Sequence, residues 1–120
     1  MPLDARIAQF VEELFAPLGI ISVRGMFSGG GIYCDGLMFG LIADNMIYLK
    51  ADARTRGAFE AEGTGPFIYQ GRKKPIAMSY WRLPDRLLDD PEEALAWGRR
   101  ALQVADAALT RRRAKTRTPK

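Results

Sequence analysis

Between Ile20 and Ala51 the chain reads ISVRGMF, GIYC, LMFGLIA and MIYLKA, short apolar runs parted by glycines and by the pairs Asp35-Gly36 and Asp44-Asn45. Asp-Gly is a strong two-residue hairpin signal, because both central positions of a type I′ turn need positive φ, which Asp and Gly tolerate. Asp-Asn is a weaker signal of the same kind. Connections this short force antiparallel neighbours, so these runs are expected as four strands of a meander.

Helical patterns flank the meander. In DARIAQFVEELFAPLG, residues Ile7, Phe10, Val11, Leu14, Phe15 and Leu18 share one face of a helix, with Asp4 as N-cap and Pro17 and Gly19 as the stop. Asp52 then caps a short helix with Ala58 and Phe59 on its apolar side and Gly63 behind it. PFIYQG and PIAMSYWRLP follow as two further strands, joined by the basic turn Gly71 to Lys74. In the second, Ile76, Met78 and Tyr80 alternate with Ala77, Ser79 and Trp81, so one face meets the core and the other stays partly wet.

The last element opens on Asp90-Pro91-Glu92-Glu93, which supplies an N-cap, a proline at the first helical position and the acid of a capping box. Leu95, Leu102 and Leu109 with Trp97, Ala101, Val104 and Ala105 then form a wide apolar stripe that is expected to run into the arginines. The fold class is therefore α+β: an antiparallel meander sheet of about six strands packed with three helices, in the order α-β-β-β-β-α-β-β-α.

With 120 residues, 48% of them apolar and 27% charged, the chain matches one ordinary soluble domain. No apolar run approaches the roughly 20 residues that span a bilayer, and the N-terminus lacks a secretory pattern, so a cytoplasmic protein without membrane contact is expected. The net charge of +4 is unevenly placed. Six of the 18 basic residues fall in 110–120, which has no acid, leaving 12 basic against 14 acidic residues elsewhere. Residues 1–109 are thus expected as the folded domain and 110–120 as a disordered basic tail.

The chain has no histidine and a single cysteine, Cys34. That excludes an intramolecular disulfide, a Cys/His metal site and every His-dependent nucleophile. No catalytic, cofactor-binding or metal-ligating residue is assigned. Cys34 lies between Tyr33 and Asp35, a poor setting for a reactive thiolate. The acids Asp85, Asp89, Asp90, Glu92 and Glu93 lack the ligand spacing of a calcium loop and are accounted for by capping.

Gly29 to Gly31 pose the question of a phosphate cradle, which would require a helix opening directly after the loop and a lysine reaching the anion. A strand and hairpin follow instead, so the glycines are expected as a bend between strands. The aromatics Tyr33, Phe39, Tyr48, Tyr69, Tyr80 and Trp81 fall on strands with few interleaved cations, and are expected to pack against the helices rather than to stack bases. The tail residues Arg111, Arg112, Arg113, Lys115 and Arg117 are the candidate nucleic-acid contacts, enough charge to neutralise several phosphates.

Taken in order, RGMFSGGGIYCDGLMFGLIADNMIYLKAD (24–52), FEAEGTGPFIYQ (59–70), MSYWRLPDRLLDD (78–90) and LAWGRRAL (95–102) resemble the N-terminal domain of the TfoX/Sxy family of bacterial competence regulators. Ser28 stands where that family often has glycine, and the chain ends in a basic tail where the longer regulators carry a second, C-terminal domain. The resemblance implies a non-enzymatic α+β domain. It also implies a protein partner in transcription, the better-understood members acting as coactivators beside the cyclic-AMP receptor protein. Two readings follow: a regulatory or adaptor domain working by protein contact, with nucleic acid reached through the tail; or a small-molecule or enzymatic domain whose pocket lies between sheet and helices, with Cys34, Tyr33, Arg24 and Lys50 as its polar groups. Oligomeric state is left open.

Overall fold

The computed structural model describes residues 3–26, 29–70 and 73–117. Helix α1 (Ala5–Phe15) is capped by Asp4, whose carboxylate accepts a hydrogen bond from the Arg6 backbone N–H at 2.8 Å. A 3-10 turn over Ala16–Leu18 ends it and leads to β1 (Ile21–Met26), β2 (Gly29–Cys34), β3 (Leu37–Ala43) and β4 (Met46–Lys50). Asp35 and Gly36 turn at φ 50° and 87°, Asp44 and Asn45 at 51° and 60°. Both connections thus have the positive φ expected of tight hairpins.

After β4, the Asp52 carboxylate accepts hydrogen bonds from the Arg54 and Thr55 N–H groups, both at 3.0 Å. This turn delays α2, which spans Arg56–Ala61 rather than starting at residue 53. Strands β5 (Pro66–Gln70) and β6 (Pro75–Arg82) form a hairpin whose turn includes Gly71 and Arg72, outside the described residues. A 3-10 turn over Asp85–Asp89 precedes α3 (Pro91–Arg117). The basic segment expected as a tail continues α3 as helix through Arg117, with residues 118–120 outside the described set.

All six strands form one antiparallel sheet in the order β1-β2-β3-β4-β6-β5. Gly29 to Gly31 lie within β2, paired on both sides from Gly30 onward, and are not the bend itself. A Cβ at Gly29 would collide with the Ile42 carbonyl of β3, so close strand approach is the physical reason for glycine there.

Helices α1 and α3 cover one face of the sheet. Val11 and Phe15 from α1, Ile32, Phe39, Ile42 and Leu49 from the sheet, and Ala94, Trp97 and Ala101 from α3 are buried together. Burying each large side chain contributes about 1.5–3 kcal/mol. Phe15 meets Phe39 edge to face at 5.5 Å, and Phe59 of α2 meets Trp97 at 4.9 Å. Asp90 caps α3, accepting from the Glu93 N–H at 3.2 Å. The Glu93 side chain does not return to the cap as in a capping box; it binds Arg86 at 2.8 and 2.9 Å and accepts from Trp97 Nε1 at 3.3 Å. Arg86 also reaches Glu62 at 2.7 Å, tying the end of α2 to the start of α3.

Candidate functional site

The face of the sheet turned away from α1 and α3 is built by strand alternation. Since Ile32 and Cys34 of β2, Ile47 and Leu49 of β4, and Trp81 and Leu83 of the β6 end point to the helices, their neighbours Tyr33, Tyr48, Lys50, Tyr80 and Arg82 point outward. In β3 the alternation breaks. Ile32 pairs with Gly40 and Tyr33 with Met38, leaving Phe39 as an extra residue. Phe39 and Ile42 consequently both enter the core, while Met38 and Leu41 line the outer face.

This outer face holds a groove of about 420 Å³, lined chiefly by Met38, Leu41, Phe67, Tyr69, Met78 and Tyr80. Its β5–β6 wall stands open to solvent: Tyr69 is 44% and Met78 37% exposed, and Ile76, the strand partner of Tyr69, is 46% exposed beside them. The aromatics therefore divide in a way that corrects the sequence expectation. Phe39 and Trp81 pack toward the helices, but Tyr33, Tyr48, Tyr69 and Tyr80 lie on the outer face with Phe67, whose ring is 5.3 Å from Tyr48. Strand alternation alone could not reveal this, because neighbouring positions in these strands are alike in polarity.

One cation stands beside Tyr80, a residue that lines the groove. Lys50 pairs with Tyr80 across β4 and β6, donates from Nζ to Ser79 Oγ at 2.7 Å, and holds its ammonium 4.9 Å from the centre of the Tyr80 ring. Burial, then the charges of Arg112 and Arg111, push the Lys50 pKa down. Burial first, and then Tyr33, push the Tyr80 phenol up, while Arg112 acts the other way. On the β1 side, the Arg24 guanidinium lies 4.8 Å from the Tyr33 ring centre.

Of the residues singled out in the basic segment, Arg111, Arg112 and Arg113 are exposed on the last turns of α3. Lys115 and Arg117 belong to the same helix, with their side chains outside the described residues. The charges of Arg111 and Arg112 on this helix end act on Lys50 of the outer face. In sequence these were two unrelated features.

The polar groups expected to share one pocket between sheet and helices are separated. Cys34 is buried on the helix side, its thiol pKa pushed up by burial and then by the adjacent Asp35, whereas Tyr33, Arg24 and Lys50 belong to the outer face. A thiol so placed is a poor nucleophile. Among the described residues no group of three His, Cys, Asp or Glu side chains is placed to hold a metal ion. Asp85 pairs with Arg82 at 2.9 Å instead. Nor is any described helix long and apolar enough to cross a membrane.

The family described as the TfoX N-terminal domain matches residues 13–105. The chain belongs to that family. A curated relative, the DNA transformation protein TfoX1 of Aliivibrio fischeri, is 24% identical over 101 residues. The match takes in 84% of this chain and 46% of the relative, so the TfoX-type domain described here spans under half of that protein's length. The matched region contains the whole meander, the groove and most of α3; Arg111 to Arg117 lie beyond it.

Proposed function

We propose that this TfoX-type domain is a non-enzymatic regulatory or adaptor module of the cytoplasm that acts by contact with a protein partner in transcription regulation, in a role related to DNA transformation. The observation that carries the reading is the outer sheet face. An apolar, aromatic face left uncovered on a domain of this size supports the docking of another surface there. Ile76, Met78 and Tyr69 offer side chains of the kind that anchor such contacts.

The test is affinity capture from the native cell with the whole chain and with an Ile76→Glu/Met78→Glu variant, read by mass spectrometry. A partner held by the first and lost from the second supports the reading. Identical sets would remove the face from any such role.

Nucleic-acid contact through the basic end of α3 is the accompanying proposal. It rests on Arg111, Arg112 and Arg113 being exposed together on one helix end, with Lys115 and Arg117 following. Titrating a labelled duplex at low salt against the chain and an Arg111→Gln/Arg112→Gln/Arg113→Gln variant is decisive. Loss of three phosphate contacts would flatten the salt dependence of binding by roughly three in the logarithmic slope. Equal binding by both would end the proposal.

A further inference from the structure

Two observations outside the partner reading converge at Lys50. The first is the groove itself, whose volume of about 420 Å³ and apolar lining of Met38, Leu41, Phe67, Met78 and Tyr80 fall in the class of small-ligand clefts of roughly 300–1,000 Å³. The second is uncompensated charge. The Lys50 ammonium, half-buried, is hydrogen-bonded to a neutral hydroxyl, with Arg111 and Arg112 close enough to act on it, and no carboxylate among the described residues forms an ion pair with any of the three.

Cations gathered beside an apolar cleft, as Lys50 is beside the lining residue Tyr80, disfavour one another unless an anion joins them. An anion able to do so and also fill the cleft must carry an apolar body. We infer that the groove is a binding site for a single-chain anionic amphiphile, its acyl or aryl body lying along Met38, Met78 and Tyr80 and its carboxylate or sulfate held by Lys50 with Arg111 and Arg112. Lys50 is the positioning element: Ser79 and the Tyr80 ring fix its ammonium, so an incoming oxyanion meets a donor already in place. A base stacked on these rings is the less suited occupant, because Lys50 already lies over Tyr80 and Arg24 over Tyr33. Nothing in this requires a protein partner, and the test uses the chain alone.

Dodecanoate, kept below the concentration at which it forms micelles, is the probe, with dodecanol as its uncharged counterpart and phosphatidylglycerol vesicles as the membrane alternative. Calorimetric titration is expected to give saturable binding of dodecanoate at least about tenfold tighter than dodecanol, the worth of one charge-assisted hydrogen bond. Lys50→Gln should remove that difference and leave dodecanol unchanged, whereas Met78→Glu, at an exposed position, should weaken both. If Lys50→Gln does not fold, Arg111→Gln/Arg112→Gln, at exposed helical positions, should weaken dodecanoate several-fold by the same reasoning. Equal affinity for acid and alcohol, indifference to these substitutions, or binding to vesicles without binding to free dodecanoate would each overturn the inference.

Discussion

Gly98 of α3 sits against the ring of Phe15 from α1, so close that a Cβ at this position would come within 2.6 Å of Phe15 Cε1 and 2.7 Å of Cδ1. Phe15 is itself fully buried against Phe39, so its ring has little room to retreat. Two effects oppose each other in Gly98→Ala. Helix propensity favours alanine by up to about 1 kcal/mol, while overpacking a rigid core costs about 1–3 kcal/mol. The clash should win, leaving a net loss of roughly 1 kcal/mol in urea unfolding. Phe15→Leu in the same chain should recover part of it, and a stabilised Gly98→Ala protein would contradict the packing described.

Arg86 holds Glu62 and Glu93 with short bonds and lowers the pKa of both carboxyls. Carboxyls lowered in this way stabilise the fold above their ordinary value of 4.5 and lose that contribution as pH falls through the lowered folded values. Arg86→Gln should therefore reduce the urea midpoint at about pH 7, with the gap from the unaltered protein closing as pH falls below 4.5 and through the lowered values. The effect will be modest because the groups are solvated. A gap independent of pH would mean that Arg86 acts by packing alone.

Lys50 works in the opposite sense. Burial and the two arginines lower its pKa from 10.5, so between the lowered value and 10.5 the unfolded chain binds the proton that the folded chain has released. Stability carries a deficit at neutral pH that is relieved as pH rises through this window. The urea midpoint of Lys50→Gln relative to the unaltered chain should be highest near pH 7 and decline toward about pH 10. Comparing the two proteins cancels the titrations of Cys34 and Tyr80, which both share. A difference that grows with pH would refute the assignment.

Cys34 is 2% exposed and its thiol is raised above 9.0. Alkylation by iodoacetamide at about pH 8 should run at least roughly a hundredfold slower in the folded chain than in urea, since the thiolate forms only on opening. Rapid modification of the folded protein would show the helix layer to be loosely seated.

The elements were legible in the sequence wherever local chemistry decides them. Asp35-Gly36, Asp44-Asn45, Asp4 and Asp90 specify their turns and caps without help from the rest of the chain. Which way the strands face was not legible. LMFGLIA is apolar at every position, and the extra residue at Phe39 shifts the alternation midway, so no pattern of polarity separates Leu41 from Ile42. The groove was hidden for that reason, and the cation cluster because Lys50 and Arg112 are 62 positions apart in the chain.

The β5–β6 hairpin meets β4 through three register pairs, Tyr48 with Arg82, Leu49 with Trp81 and Lys50 with Tyr80, through the Ala51 N–H bonded to the Ser79 carbonyl and the Leu83 N–H bonded to the Ile47 carbonyl, and through the Phe67 ring against Tyr48. Beyond Ser79 it extends as a two-stranded arm, and that arm supplies Phe67, Tyr69 and Met78 to one wall of the groove. The width of the cleft is thus governed by a hairpin that is joined to the sheet along one end of β6. Amide protons from Phe67 to Gln70 and Ile76 to Ser79 should exchange early in the empty protein and slow first when anything settles between arm and sheet.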